Sequence, residues 1–388
     1  MEKFTPVEKA ERLYSLDILR GFALFGIVLV NIFDFSRPLL YQKSMVESND
    51  FTDRTIEIMV SIFAQASFYP LFSLLFGAGT WLFYERLRQR DQSFSKFYGK
   101  RLAALFLFGV IHAFFIWHGD ILMTYAVTGF IFMPLIKMSR AFLLQCGICL
   151  LFIPNILLGL LYAIAGAERP QNLILAGRQE QIQHSLQTYS QGSWVAIFGR
   201  RLADWYYTNN LYNAPLLILS LLPLFMLGAY AAKRGWFQNK LEPDVRKELK
   251  LLFFLSWAIG LPLKICPYVT GENVLTRHLQ LSIGGPVLAF FYASGILLLL
   301  QRRMNEKAYK PLLEMGRASL SNYLIQSVVL CFVFYSYGLR LYGEASSARS
   351  IAIAIVVYVG QAFLSVLWFR RFSYGPAEKV WRKMIYGA

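Results

Sequence analysis

The side chains able to do chemistry sit in a few polar clusters within otherwise apolar sequence. The densest is FFIWHGDILMTYAV, Phe114 to Val127, where two apolar runs meet at Trp117-His118-Gly119-Asp120, with His112 six residues before His118. An imidazole takes and returns a proton near neutral pH, and a carboxylate beside it orients the ring by accepting its N–H. His112 and Asp120 are the candidate catalytic pair, and Trp117, His118 and Tyr125 the candidate substrate contacts. The alternatives are a His112 buried against a carbonyl and an Asp120 that N-caps the next helix. Capping and catalysis are compatible. A metal site from His112, His118 and Asp120 is weakly supported, because a spacing of six puts the two histidines on different helix faces. No metal is expected.

A second cluster is YSLDILRGFALFGIVLVNIFDF. Asp17 and Arg20, three apart, share one helical face. Arg20 either pairs with Asp17 and snorkels to the membrane surface, or faces a cavity and grips phosphate through its planar fork. Asn31 and Asp34 lie toward the other end of the same helix, so one helix carries polar groups to both ends of a site. The third cluster is FYPLFSLLFGAGTWLF, where Pro70 should kink the span and Ser73, Gly77 and Gly79 thin it. The fourth is MGRASLSNYLIQSVVL. After Arg317, Ser319, Asn322, Tyr323 and Gln326 form a polar stripe that either bonds a neighbouring helix or lines the cavity that Arg20 faces.

These clusters must be positioned by membrane helices. The 388 residues are 56% hydrophobic with a net charge of +16. The apolar residues fall in blocks long enough to cross a bilayer as helices. The predicted fold is all-α and polytopic, with about ten spans: 18–36, 57–83, 102–118, 121–138, 141–167, 214–232, 251–266, 281–300, 318–337 and 350–368. With the N-terminus inside, the inner segments hold 27 basic residues and the outer ones 10, which predicts both termini in the cytoplasm. That asymmetry accounts for the net charge, making anionic inner-leaflet lipids the electrostatic partner and nucleic acid unnecessary. The two runs flanking the His118-Gly119-Asp120 tip are about 24 and 27 Å long as helices, short of a layer roughly 30 Å thick, so the tip should be recessed.

The organisation expected is a helical bundle over 1–167, an extracytoplasmic loop over 168–213 and a second bundle over 214–388 ending in a basic tail. The loop has Leu173, Leu175, Ile182, Leu186 and Tyr189 among polar residues. It reads as an amphipathic helix, a lid, or a solvated connector. Cys146, Cys149, Cys266 and Cys331 fall in or at the ends of apolar spans and read as packing residues. No phosphate-binding G-x-x-x-x-G-K-[ST] loop is present.

SLDILRGFALFGIVLVNI, FYPLFSLLFGAG, GVIHAFFIWHGDILMTYAVTG and MGRASLSNYLIQS together resemble the bacterial YeiB-type membrane proteins with a DUF418 C-terminal region, over about residues 13 to 375. The first two segments resemble, more distantly, heparan-α-glucosaminide N-acetyltransferase and related transmembrane acyltransferases. Asp17, Arg20, Gly21 and Asn31 match the first-helix pattern. That enzyme is associated with a histidine in the loop after this helix, whereas 37–56 here has none. The resemblance implies an inner-membrane acyltransferase moving an acyl group, acetyl above all, from cytoplasmic acyl-CoA to a hydroxyl or amine across the membrane, with a sugar as one acceptor class. In that scheme Arg20, Asp17, Arg317, Ser319 and Asn322 hold the CoA end. His112 is the general base, Asp120 orients it or His118, and Asn31 bonds the oxyanion. His118, Trp117, Tyr125 and Asp34 meet the small-molecule acceptor, and a second copy of the chain is a candidate partner. The competing expectations are a secondary transporter or flippase, and a non-catalytic scaffold whose polar clusters only hold helices together.

Overall fold

The computed structural model describes residues 13–165, 171–302 and 306–387, and these are helical with no strand among them. Lys3, Lys9, Arg12 and Arg303, counted above toward orientation, and the side chains of Leu173 and Leu175 lie outside what is described. Eight helical runs are long and apolar enough to cross a membrane. A ninth arises if α13 (Glu306–Arg317) and α14 (Ser319–Phe334), bent by 81°, count as one crossing. The expected span at 121–138 is the short apolar helix α5 (Leu122–Phe132). The protein is an all-α polytopic membrane protein.

Helix α1 (Tyr14–Ser36) is the axis of the bundle. It packs on α3 (Phe68–Gln89), α12 (Gly285–Leu299), α13, α14 and α15 (Ser347–Trp368). In its apolar window 61% of residues are buried, against 17% for α6 (Arg140–Ala165), which presents Ile153, Leu157 and Leu161 outward as lipid-facing surface. α3 packs tightly along α9 (Asn213–Arg234). A Cβ on Gly77 would lie 2.0 Å from the Phe225 carbonyl oxygen, and one on Gly228 would lie 1.9 Å from that of Leu74. The two backbones therefore touch, as small residues permit in lipid, where packing rather than water exclusion drives helix association. These contacts interleave the two halves of the sequence.

The expected kink at Pro70 is displaced. α2 (Phe51–Phe63) and α3 are separated by a break at 64–67, where Ala66 takes a left-handed φ of 57°. Pro70 lies in the first turn of α3, where its missing N–H has no intrahelical acceptor to lose. The ammonium of Lys264, on α10 (Pro243–Thr270), donates to the Gln65 carbonyl at 2.6 Å and so satisfies one of the freed backbone groups.

The described part of the 168–213 segment, from residue 171 on, is mostly helical. α7 (Gln171–Gln191) and α8 (Trp194–Asn209) form a hairpin over one end of the bundle. Ser336 N–H donates to the Tyr189 carbonyl at 2.8 Å and Arg201 reaches the Phe115 carbonyl at 2.9 Å, which ties the hairpin down. The start of α1 and the last helix, α16 (Pro376–Tyr386), meet at the opposite end. α16 is held there by Glu378, whose carboxylate accepts from the N–H groups of Leu320 and Ser321 and from the Ser321 hydroxyl, capping α14. Burial pushes the Glu378 carboxyl above the ordinary glutamate range. Its contribution is thus full below that range and lost as pH rises through the raised value. Amide protection factors in α16 should fall as pH rises from about 4 toward neutrality, and Glu378→Gln should flatten that dependence.

Candidate functional site

A cavity of about 690 Å³ runs inward from the end where α1 begins and α16 lies. Its mouth is lined by Asp17 and Arg20 from α1, Arg86 and Arg90 from the end of α3, and Arg101 from α4 (Phe94–Ile111). Arg317 from α13, Ser319 from α14, and Glu378, Trp381 and Arg382 from α16 complete it. Arg20 donates to Asp17 at 3.1 Å, and Arg317 to Glu314 at 2.5 Å while stacking 3.9 Å over Phe369. Arg20 is thus paired with Asp17 and also lines the cavity. Arg101 has no ion pair among the described residues and stacks on Phe83 and Trp381 at 5.3 and 4.9 Å. The guanidinium fork is the side-chain group whose geometry matches phosphate oxygens bidentately.

Room for the Arg20 head comes from Gly79, where a Cβ would lie 3.0 Å from Nη2. Gly79→Val should therefore displace the guanidinium. The expected result is anion binding at the mouth at least about tenfold weaker, or roughly 1.4 kcal/mol, at unchanged folded yield, read by equilibrium binding of a nucleotide polyphosphate.

Beyond the arginines the walls turn apolar and aromatic, with Leu24, Phe72, Phe76, Leu105, Leu122 and Tyr125. The Tyr125 hydroxyl is held by Ser73 at 2.8 Å and the Tyr69 carbonyl at 3.1 Å. The deep end is made by Asn31, the α2–α3 break, Gly119, Ile121 and Tyr323. Along α1, Arg20 and Asn31 are about 16 Å apart, and the Asn31 amide has no hydrogen-bond partner in the described structure.

His112 and Asp120 come together, but not on this wall. The α4 helix ends in a π-turn, His112–Ile116, which aims the imidazole at α14. Its Nδ1 is 3.0 Å from Asp120 Oδ1 and its Nε2 is 2.8 Å from the Ser327 hydroxyl. Asp120 Oδ2 accepts the Met123 N–H at 2.9 Å, so this carboxylate also caps α5. His112 is fully buried and Ser327 nearly so. Tyr323 lines the cavity and lays its ring over His112, with centroids 4.9 Å apart. Arg20 lines the cavity and His112 does not, because the π-turn sets the imidazole behind Tyr323.

His118 goes elsewhere. Its Nε2 lies 3.0 Å from Asp34 and its Nδ1 4.0 Å from Asp204, though neither nitrogen is aligned as a hydrogen bond. Asp204, on α8, accepts from the hydroxyls of Tyr41 at 2.7 Å and Tyr189 at 2.6 Å and pairs with Arg200 at 2.8 Å. Burial pushes the Tyr189 phenol well above its ordinary value, which keeps it a donor. Trp117 stacks on Phe35 at 4.1 Å and does not line the cavity. This second polar cluster lies beneath the α7–α8 hairpin, and none of the hairpin's described side chains lines the cavity.

The α14 stripe splits. Ser319 and Tyr323 line the cavity, whereas Asn322 donates to the Met315 carbonyl at 3.2 Å and to Ser365 of α15 at 3.1 Å. Asn322 holds helices together and does not face a ligand at the mouth, and Gln326 is buried. No group of three or more metal-ligating side chains occurs among the described residues. The four cysteines are free thiols.

The architecture can now be set beside known proteins. A family described as "Protein of unknown function (DUF418)" matches residues 231–388. A Bacillus subtilis (strain 168) protein, "Uncharacterized protein YxaH", is 34% identical over 401 residues, covering all of this chain and 97% of its own. The chain belongs to the YeiB-type DUF418 family. "Uncharacterized 39.9 kDa protein in amylase 3'region" of Bacillus acidopullulyticus is 30% identical, covering 98% of this chain and 96% of its own. "Uncharacterized protein YeiB" of Escherichia coli (strain K12) is 26% identical, covering 96% of each. The DUF418 region supplies Arg317, Ser319, Tyr323, Ser327 and Arg382, while Arg20, Arg101, His112 and Asp120 precede it. Neither the mouth nor the histidine relay is complete in one part alone.

Proposed function

We propose that this DUF418 protein is a multi-pass acyltransferase of the bacterial inner membrane. It takes an acyl group, acetyl first among the candidates, from acyl-CoA on the cytoplasmic side and delivers it to a hydroxyl or amine acceptor, a sugar among them, on the other. The observation that carries the reading is the profile of the cavity: arginines at the mouth, apolar walls, and an unpartnered amide about 16 Å further along α1. CoA has that profile, a phosphate-rich head with a long thin arm ending in a thioester.

In this reading Arg20, oriented by Asp17, and Arg317 hold the phosphates together with Arg86, Arg101 and Arg382. Ser319 and Tyr125 are wall contacts. Asn31 donates to the thioester carbonyl oxygen as charge develops there. Asp120 holds His112 in the tautomer whose Nε2 accepts a proton, and rotation of the Tyr323 ring brings that nitrogen within reach of the cavity. His118, Asp34 and Trp117, under the α7–α8 lid, form the acceptor side. The basic end is cytoplasmic, as the charge asymmetry favours.

The broken α2–α3 segment and the separate polar cluster under the lid favour a second reading, a transporter that opens to each face in turn. Acetyl-CoA added to purified protein in detergent distinguishes the two. At 100 times its Kd a ligand adds about 2.7 kcal/mol to the folded state. A rise in Tm with acetyl-CoA, absent in Arg20→Ala, is expected. No rise with either acetyl-CoA or CoA would overturn the donor assignment.

A further inference from the structure

The geometry points to Ser327 as a nucleophile that carries the acyl group between donor and acceptor. This rests on the acyl-transfer reading and adds a covalent intermediate to it. Ser327, His112 and Asp120 form one line: hydroxyl to Nε2 at 2.8 Å, Nδ1 to carboxylate at 3.0 Å. Such a constellation is recognised by geometry and roles rather than by order in the chain. The tautomer follows from the partners. Asp120 Oδ2 is occupied by the Met123 N–H, so Oδ1 takes the Nδ1 proton. Nε2 is then a bare acceptor and the Ser327 hydroxyl its donor.

Satisfying a buried serine does not require this arrangement. The Ser327 hydroxyl already lies 3.2 Å from the Tyr323 carbonyl, the usual local bond of a helical serine. The histidine is brought in by the π-turn, and the aspartate fits because position 109 is glycine. A Cβ on Gly109 would meet the Asp120 Oδ2 at 3.0 Å and the Met123 backbone nitrogen at 2.6 Å. Three separate segments are therefore shaped around the line.

The location suits a carrier. Ser319, at the start of α14, lines the mouth, and Tyr335, just past its end, stacks on Tyr189 of the lid with centroids 4.5 Å apart. Ser327 is midway, about 12 Å along the helix from each. One turn before it, Tyr323 forms the deep wall of the cavity, so the motion of a single ring exposes the hydroxyl to the thioester.

In the first half-reaction Ser327 Oγ attacks the thioester carbonyl and its proton passes to His112 Nε2. The C–S bond breaks, and the thiolate takes that proton and leaves as CoA thiol. In the second, the acceptor hydroxyl or amine gives its proton to Nε2 and attacks the serine ester. The ester bond breaks, and Ser327 Oγ recovers the proton. No oxidant, reductant or metal is consumed.

The test is a fluorophosphonate probe applied to the purified full-length protein, with the adduct located by mass spectrometry. An adduct on Ser327, formed at least about 100-fold more slowly in His112→Ala, is expected. Ser327→Cys should be alkylated by iodoacetamide at position 327. The absence of an adduct at Ser327 in the folded wild-type protein would overturn the proposal, and that result alone decides it if a variant fails to fold. The outcome is independent of the donor assignment. An adduct without acetyl-CoA stabilisation supports Ser327 and removes CoA. Stabilisation without an adduct keeps CoA and removes Ser327.

Discussion

His112→Ala is expected to lower acyl transfer by about 10²–10⁴-fold, the usual worth of a positioned acid–base group, while acetyl-CoA still raises Tm. The separation of effects comes from geometry. The arginines of the mouth are at one end of the cavity, and His112 stands behind Tyr323 at the other. Asp120→Asn should give a similar loss, because an amide no longer fixes the Nδ1–H tautomer, with some added loss of stability since Oδ2 also caps α5. The assay is single-turnover transfer from labelled acetyl-CoA. Equal loss of donor binding and transfer in His112→Ala would mean that the residue supports the fold and has no part in the chemistry.

The second large effect concerns the scaffold. Gly228→Leu should abolish monodisperse folded protein, and Gly228→Ala should lower Tm clearly. The group that a side chain would meet is the Leu74 backbone carbonyl of α3, which cannot swing aside. Overpacking of this kind typically costs 1–3 kcal/mol and sometimes more. Gly99 on α4 is the matched control. A Cβ there meets nothing within 4 Å, so Gly99→Ala should be neutral or slightly stabilising through helix propensity. Fluorescence-detected size exclusion of the three variants, followed by thermal melts, reads the result. Equal behaviour of Gly228→Ala and Gly99→Ala would show that the α3–α9 contact is looser than described.

Much of this architecture is written in local sequence, because bilayer thickness imposes a length on every apolar block. Each expected span has a helical counterpart, including the short α5 for 121–138. The pairing of His112 with Asp120, the capping by Asp120 and the Asp17–Arg20 pair were legible from short spacings. Contacts set by helix rotation were not. The π-turn after Ile111 sends His112 away from the cavity, and no periodicity signals such a turn. In the sequence, Arg86, Arg90, Arg101 and Arg382 count only as orientation charges; that they line one cavity mouth depends on contacts between distant helices. Ser327 continues the polar stripe one turn past Tyr323 and could have been noticed there. The lid reading of the 168–213 stretch carried Tyr189 but gave no partner for it, and Asp204 and Arg200 went unnoticed because spacing within a polar stretch does not show which side chains meet the bundle. Arg20 lines a cavity of about 690 Å³.

Cryo-electron microscopy of the full-length protein with saturating acetyl-CoA tests the central assignment most directly. The expected map has nucleotide phosphates against Arg20, Arg101 and Arg317, with the arm running between Phe72, Phe76 and Leu122 toward Asn31. A map with that cavity empty of ligand, or with the nucleotide bound elsewhere on the protein, would contradict it.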